Sequence, residues 1–197
     1  MPLLSWMLAV GALSALLLSA ALSGHARGSS LPFPNLLVAL IHVTAAAAWV
    51  GGLVSLVALA FPAMRDQAET DRAALLVPVV ARFSDVAVWA VFAIVASGTY
   101  SAWMEIRGLH AVTASTYGLV FLAKLAAFVP VLALGGVNNR WTKPRLMRAV
   151  RGQAAAGSSL RLLRRLIALE IALIAVVLGL TVFLLQLSPP ALAGGSS

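Results

Sequence analysis

A histidine within an apolar segment is the feature of this sequence with the clearest capacity for chemistry. His42 lies in the run from Ile41 to Leu53, and an ionisable side chain at membrane depth is costly to place unless it has a function. Trp49 follows two helical turns later on the same face, and Gly51 and Gly52 allow another helix to approach closely. His42 could therefore ligate a metal or a haem, or relay protons. The competing interpretation is a histidine that hydrogen-bonds a carbonyl group of a neighbouring helix.

Three further side chains on the same predicted side of the membrane are candidate metal ligands. His25 and His110 lie in predicted loops, and Met104 ends a predicted helix. Imidazole binds copper, and a thioether sulfur selects Cu(I). The chain has no cysteine, which excludes thiolate sites and the C-x-x-C-H attachment of c-type haem. We therefore predict a copper site with His42 as the central ligand and these three residues as accessory ligands near its entrance.

Four charged residues are predicted within the membrane or at its edge. Arg82 and Asp85 are three residues apart and can pair along one helix. Glu170 matches their predicted depth, so we also expect an Arg82–Glu170 pair, for which a structural role is favoured over a proton or ion path. Lys124 is predicted near the depth of His42, where a cation opposes bound Cu(I) unless the side chain snorkels outward. An anionic cofactor group would suit Lys124 better, which favours haem as the alternative to copper.

The elements that must position these residues are membrane helices. The chain is 61% hydrophobic and 10% charged, whereas soluble domains average about 45–50% and about 25%. A membrane-spanning helix needs about 20 apolar residues, and five stretches qualify, at roughly 3–23, 35–61, 79–104, 116–137 and 162–187. The first lacks a positive leading region and is too long for a signal peptide. We therefore expect an all-α integral membrane protein, with residues 1–197 forming one bundle of about five transmembrane helices.

The distribution of lysine and arginine predicts the orientation of this bundle. The loops after the second and fourth spans share a side with the N-terminus. That side carries Arg65, Arg72, Arg82, Arg140, Lys143, Arg145, Arg148, Arg151, Arg161, Arg164 and Arg165, whereas the other side carries Arg27 and Arg107. By the positive-inside rule the N-terminus is cytoplasmic and the C-terminus outside, so the three histidines fall on or near the outer surface.

Two loops complete the prediction. Pro62 and Pro78 are expected to bracket the loop between the second and third spans, because proline interrupts helices. The basic stretch 138–161 is expected to be a cytoplasmic loop, part of it a surface helix on anionic lipid. The net charge of +8 comes from residues that flank apolar segments and not from a basic face on an aqueous domain, so nucleic-acid binding is not expected.

Several of these residues, taken together, resemble the copper resistance protein D (CopD) family of bacterial inner-membrane proteins. The likeness covers about residues 23–190 in the family's order. It is carried by Ser23-Gly24-His25-Ala26 with His42 to Leu53, by Ala81-Arg82-Phe83-Ser84 with Ser97-Gly98-Thr99, by Tyr117-Gly118 through Lys124 to Asn138-Asn139-Arg140, and by Arg164-Arg165 with Glu170 and Pro189-Pro190.

The resemblance implies copper import or copper handling from the periplasmic side of the inner membrane, often beside a periplasmic CopC-like copper-binding protein. A transporter or membrane copper relay is then favoured over an enzyme, and a homo-oligomer is compatible with it. His42, and less directly His25, are the ligands that carry over. Family members are commonly longer, with further helices before this block, so the chain is expected to be a fragment or a minimal member.

A second resemblance leads to a different function. The spacing of His42, Trp49 and the two following glycines, with a later intramembrane lysine, is also similar to haem-binding membrane proteins of the protoporphyrinogen-oxidase type. Those proteins use a histidine and a lysine, so His42 and Lys124 would bind haem b in an oxidoreductase. The arginine-phenylalanine-serine element and the Pro-Pro ending fit the copper family better. A structural subunit without a metal of its own is the third hypothesis.

Overall fold

The structure, a computed structural model, describes residues 32–105, 109–152 and 155–187. The predicted first span, 3–23, and His25 lie outside the described residues. All described elements are helices, which confirms the predicted all-α class. They are α1 (Pro32–Ser55), α2 (Glu69–Glu105), α3 (Leu109–Ala114), α4 (Thr116–Val137), α5 (Lys143–Val150) and α6 (Ala156–Leu184).

Four helical stretches of the described chain are long and apolar enough to cross a membrane, so this is a multi-pass membrane protein. They run over Phe33–Ala63, Glu69–Met104, Thr116–Val150 and Ala156–Leu184. Large apolar side chains point outward from them, with Trp89 73% exposed and Trp103 82% exposed. Such surface would be unfavourable in water and is the natural surface against lipid tails.

Two of these stretches contain a π-helical turn, and in both a proline follows. The turn Leu56–Ala60 precedes Pro62, and the turn Asn138–Thr142 precedes Pro144. Proline has no N–H and its ring clashes with the carbonyl oxygen four residues earlier. In a π-helical turn each backbone hydrogen bond joins residues five apart instead of four. The wider turn relieves this clash and lets each helix continue past its proline.

Two helix boundaries differ from those predicted. The second loop is shorter, because α2 begins at Glu69 and contains Pro78 in its interior. Glu69 and Asp71 lie in the first turn of α2, where negative charge favours the positive end of the helix dipole. The stretch 138–161 is also largely helical and not a loop, since α4 continues through the π-helical turn into α5. Hydropathy detects the membrane-embedded part of a helix and misses its polar extensions.

These extensions leave the membrane at one end of the bundle, which we call the basic end (residues 62–72 and 138–165). The α2 helix has 37 residues and is therefore ~55 Å long at 1.5 Å per residue, more than the ~30 Å of a hydrocarbon core. At the basic end Glu69 lies 3.9 Å from Arg161 and packs against Gly157. The first turns of α2 and α6 are thus held together at the basic end.

The α1 and α2 helices form an antiparallel pair along most of their length. Near the basic end, Gly52 faces the ring of Phe83, and a Cβ atom at position 52 would lie 2.2 Å from that ring. At the opposite end, the Tyr100 hydroxyl donates to Asn35 Oδ1 over 3.0 Å. The buried core continues from this pair to α6, through Trp49, Leu53, Leu76, Leu163 and Ile167.

Candidate functional site

The imidazole of His42 faces α2, where its Nδ1 atom lies 2.9 Å from Ser97 Oγ. Ser97 is 6% exposed, and its hydroxyl also donates to carbonyl oxygens of its own helix, at Ala93 and Ile94. A hydroxyl has one hydrogen to donate, so Ser97 Oγ accepts from the Nδ1–H of His42. The tautomer that satisfies both contacts has its proton on Nδ1 and leaves the lone pair on Nε2. That atom is the one available to a metal ion.

Gly98 makes room for this imidazole beside α2. A Cβ atom at position 98 would lie 3.5 Å from His42 Cε1 and 3.8 Å from Nδ1. These are ordinary van der Waals distances, so the ring lies directly against the backbone of α2 at Gly98. The Ser97-Gly98 pair thus supplies both the hydrogen bond and the space that hold His42 in one orientation.

The α4 helix brings Lys124 to the same region. Lys124 is partly buried and lies close enough for its charge to act on His42. Lys124 is therefore a candidate neighbour of His42, in keeping with the similar depths predicted for the two residues. A cation at this distance lowers the affinity of His42 for another cation, because like charges repel more strongly where water is excluded.

A second polar contact lies between His42 and the end of the bundle opposite the basic end. Asn35 precedes His42 by two helical turns on α1 and meets Tyr100 of α2. Met104, partly buried, follows Ser97 by two turns on the same face of α2. The Tyr100–Asn35 contact therefore joins α1 to α2 two turns beyond His42.

The other predicted ligands are not brought to His42 by the described residues. His110 lies in α3, but its side chain is outside what the structure describes, as is all of His25. Among the side chains that are described, no group of three or more His, Asp or Glu lies together. The site as described therefore consists of His42, its partner Ser97 and the nearby Lys124.

A buried carboxyl group forms a second polar site, closer to the basic end. Glu170 of α6 is 2% exposed. Asn138 Nδ2 donates to Glu170 Oε2 over 3.2 Å, and the indole N–H of Trp49 donates to the same carboxyl group. Gly135 lets α4 approach, because a Cβ atom there would lie 3.5 Å from Glu170 Oε1.

A cavity of about 200 Å³ opens beside Glu170, between all four long helices. Its walls are mostly apolar, and its polar lining comes from Glu170, Asn138, Asn139, Ser84 and Trp49. Of the described residues that line this cavity, Glu170 is the ionisable one. The Trp49 indole packs edge-on against Phe128, with ring centroids 6.0 Å apart, and lines this cavity.

The charged residues near the basic end have neighbours other than those expected. Lys143 Nζ lies 3.6 Å from Asp85 Oδ1, whereas Arg82 is exposed. Within the described chain, no ion pair joins Arg82 to Asp85 or to Glu170. Arg82 precedes Phe83, which packs against α1, and adjacent helical residues point about 100° apart. The packing of Phe83 therefore turns Arg82 away from the interior.

Ser97 and Asn138 were not predicted as partners, although both stand in segments that carry the family resemblance. A serine beside a glycine inside an apolar span is a detectable signal for close helix contact. An asparagine at the end of such a span is a weaker signal. Neither pattern reveals which residue on another helix lies opposite, so His42 and Glu170 could not be assigned these neighbours from sequence.

Comparison with known proteins gives two matches. The profile of the family "Copper resistance protein D" (CopD) matches residues 77–184. The copper transport protein CutJ of Bacillus subtilis (strain 168) is 34% identical over 128 residues, which is 65% of this chain and 23% of that protein. This chain thus matches about a quarter of its curated relative. No solved structure matches.

Proposed function

Because this chain belongs to the copper resistance protein D family, we propose that it accepts copper at His42 and passes it through or along the membrane toward the basic end. The observation that carries the proposal is the contact between His42 and Ser97, which leaves Nε2 free inside a membrane bundle. In metal-binding histidines, the ring nitrogen that does not bind the metal usually donates its N–H to a neighbouring acceptor. This hydrogen bond fixes the orientation of the ring and raises the basicity of the ligand nitrogen. The cost of burying an ionisable imidazole within a membrane bundle supports a functional role for His42 over packing alone.

Cu(I) is the form of copper that suits this position best. Imidazole nitrogen and thioether sulfur both bind it, and Met104 lies on the outward side of the same helix face as Ser97. We propose Met104, His25 and His110 as accessory ligands that bring copper to His42. Lys124 then weakens the binding of the ion, which suits a transit site, because conduction requires binding weak enough for release.

The proposed orientation follows from the arginine and lysine residues at the basic end. Cytoplasmic segments of membrane proteins carry an excess of these residues, so the basic end faces the cytoplasm and Asn35 and Met104 lie near the outer surface. We propose the inner membrane of a bacterium as the location, with a cytoplasmic N-terminus and an outer C-terminus. The name of the Bacillus subtilis relative, a copper transport protein, supports passage of copper over a purely structural role.

A periplasmic copper-binding partner of the CopC type would deliver the ion in this scheme. The chain matches 23% of the length of its curated relative. Copper transport by this chain is therefore our proposal and is not carried over from that relative. A homo-oligomer, or a further membrane subunit, would supply any helices that the path still requires.

Copper stoichiometry of the purified protein tests the proposal. The full chain in detergent is loaded with Cu(I), desalted and analysed for copper by mass spectrometry, together with its absorption spectrum. We expect near-stoichiometric copper and no Soret band, and loss of most copper in His42→Ala. The control is Thr44→Ala, an exposed position on the same helix, which should bind as the unmodified protein does.

Three results would overturn the proposal. Copper binding that His42→Ala leaves unchanged would remove His42 from the site, and no copper binding at all would remove the function. A Soret band that disappears in both His42→Ala and Lys124→Met, with little copper, would favour haem b and an oxidoreductase. Transport is then tested separately, by copper uptake into proteoliposomes that contain His42→Ala or its control Thr44→Ala.

A further inference from the structure

The buried carboxyl group of Glu170 has no role in copper binding at His42, yet its surroundings are built for a change of charge. It lies in the middle of the bundle, faces the cavity of about 200 Å³, and is the ionisable group in the described cavity lining. An unpaired buried carboxylate is costly, because it leaves water without gaining an opposite charge. A carboxyl group in this position is stable either as a neutral acid or as the counter-charge of a cation in the cavity.

The charged side chains of the surrounding helices do not neutralise it. On α2, Asp85 pairs with Lys143 of α5 at 3.6 Å and Arg82 is exposed. On α6 and on the π-helical turn after α4, the basic residues nearest in sequence are also exposed, namely Arg164, Arg165 and Arg140. The α1 helix contributes Trp49, which carries no charge. The α4 helix carries Lys124, which does not line the cavity. The partners described for the Glu170 carboxyl group, Asn138 and Trp49, are therefore both neutral.

The Asn138 amide can serve both protonation states of this group. Its Nδ2 donates to Glu170 Oε2 at 3.2 Å, which is the hydrogen bond an ionised carboxylate needs. Its Oδ1 is buried and has no hydrogen-bond partner, although buried acceptors are normally satisfied. A rotation of the amide would let Oδ1 accept the O–H of a protonated carboxyl group. A purely ionised site would leave this acceptor permanently unused.

We propose that Glu170 is a proton-binding residue that exchanges its proton against copper. Proton binding by Glu170 is independent of the proposed function, whereas the exchange against copper rests on it. In the resting state the carboxyl oxygen holds a proton taken from water at the basic end, and no net charge is buried. When Cu(I) moves from His42 into the cavity, the O–H bond breaks, the proton leaves to water at the end of the bundle opposite the basic end, and the carboxylate neutralises the copper ion. Release of copper to the basic end is followed by uptake of one proton, so each cycle exchanges one Cu(I) for one proton.

The matched controls are available in the chain itself. Glu170→Gln keeps the shape and the hydrogen bonds but cannot ionise. Glu69→Gln changes a carboxylate that is exposed and lies 3.9 Å from Arg161, and Glu170→Asp keeps the titratable group. Elution as a single species in size-exclusion chromatography establishes that each variant folds.

The first measurement does not involve copper. Infrared difference spectra recorded across a pH titration of the purified protein should contain the carbonyl-stretch band of a protonated carboxyl group. We expect Glu170→Gln to remove this band and Glu69→Gln to keep it. Absence of the band from the unmodified protein at every pH, or its persistence in Glu170→Gln, would overturn the proton-binding role whatever the protein transports.

The second measurement is copper uptake into proteoliposomes with and without a pH gradient. A gradient that draws protons out of the copper-receiving side should speed uptake several-fold in the unmodified protein and in Glu69→Gln, and should have no effect in Glu170→Gln. Uptake that ignores the gradient in the unmodified protein would overturn the exchange but leave copper transport standing. Absence of any uptake, with the infrared band present, would overturn the transport function and the exchange, and leave the proton site.

Discussion

The 2.9 Å contact between His42 Nδ1 and Ser97 Oγ joins two helices across 55 residues of sequence. It is the interaction that sets which imidazole nitrogen is free.

Replacement of Ser97 by alanine should weaken copper binding without unfolding the protein. Loss of a partner that orients a metal-binding histidine typically costs 10–100-fold in affinity, so we expect a Cu(I) dissociation constant roughly tenfold or more above that of the unmodified protein. Competition titration with a colorimetric Cu(I) chelator measures it. Ser55→Ala is the control, because Ser55 also donates to its own helix, to Gly51 O over 2.7 Å, and is exposed. Equal affinities for the two variants would contradict the role of Ser97.

Removal of the Lys124 charge should strengthen Cu(I) binding, which is the opposite of the effect expected for Ser97→Ala. At an effective dielectric of about 20, a unit charge changes the binding free energy of another unit charge by about 4 kcal/mol at a separation of about 4 Å, and by proportionally less at greater separations. Lys124→Met is therefore expected to tighten Cu(I) binding by about tenfold or more in the same titration. Arg140→Gln, which removes an exposed cation at the basic end, should change the affinity little. A weaker affinity in Lys124→Met would mean that Lys124 helps to hold the ligand, as the haem alternative requires.

Gly118 should be intolerant of any side chain. A Cβ atom there would lie 2.1 Å from the carbonyl oxygen of Val112, which is backbone and cannot rotate away. We expect Gly118→Ala to lower the free energy of unfolding by about 1–3 kcal/mol, the range for overpacked positions. Gly179→Ala is the control, since nothing lies within 4 Å of its Cβ position. Denaturant titration of both variants in detergent measures their free energies of unfolding. Equal stability of the two variants would contradict the prediction, because it would show that the backbone near Val112 shifts at little cost.

Arg72 should protect the loop between α1 and α2. Its guanidinium group donates to the carbonyl oxygens of Met64 at 3.0 Å and Gln67 at 3.1 Å, and to that of Arg65. Arg72→Ala should cost about 1 kcal/mol of local stability and speed tryptic cleavage after Arg65 roughly fivefold. Arg82→Ala, at an exposed position on α2, should leave that cleavage rate unchanged. Mass spectrometry of a limited digest gives both rates.

The sequence allowed the fold to be predicted further than the site. Apolar runs identified the four described spans, because the cost of burying polar groups in lipid leaves few alternatives. The polar start of α2 at Glu69 was missed, since hydropathy carries no signal once a helix leaves the membrane. The isolated position of His42 indicated metal or cofactor chemistry, and the absence of cysteine excluded thiolate sites. Neither inference required knowledge of helix packing.

The partners of the site residues were harder to predict for a geometric reason. Sequence position gives the depth of a residue, and on this basis Arg82 was expected to meet Glu170. Contact also requires that both side chains point toward each other, which depends on the rotation of each helix. That rotation is set by packing such as Gly52 against Phe83, and it directs Asn138 and not Arg82 toward Glu170.

The two π-helical turns give the bundle unequal stiffness. Both lie toward the basic end, and Leu56 and Asn138, the first residue of each, also line the cavity beside Glu170. A helix bends most easily where its regular hydrogen bonding is interrupted. The part of α1 that carries His42 lies on the far side of its turn and is clamped to α2 by two hydrogen bonds. Bending at the turns would therefore reshape the cavity beside Glu170 while the His42–Ser97 contact keeps its geometry.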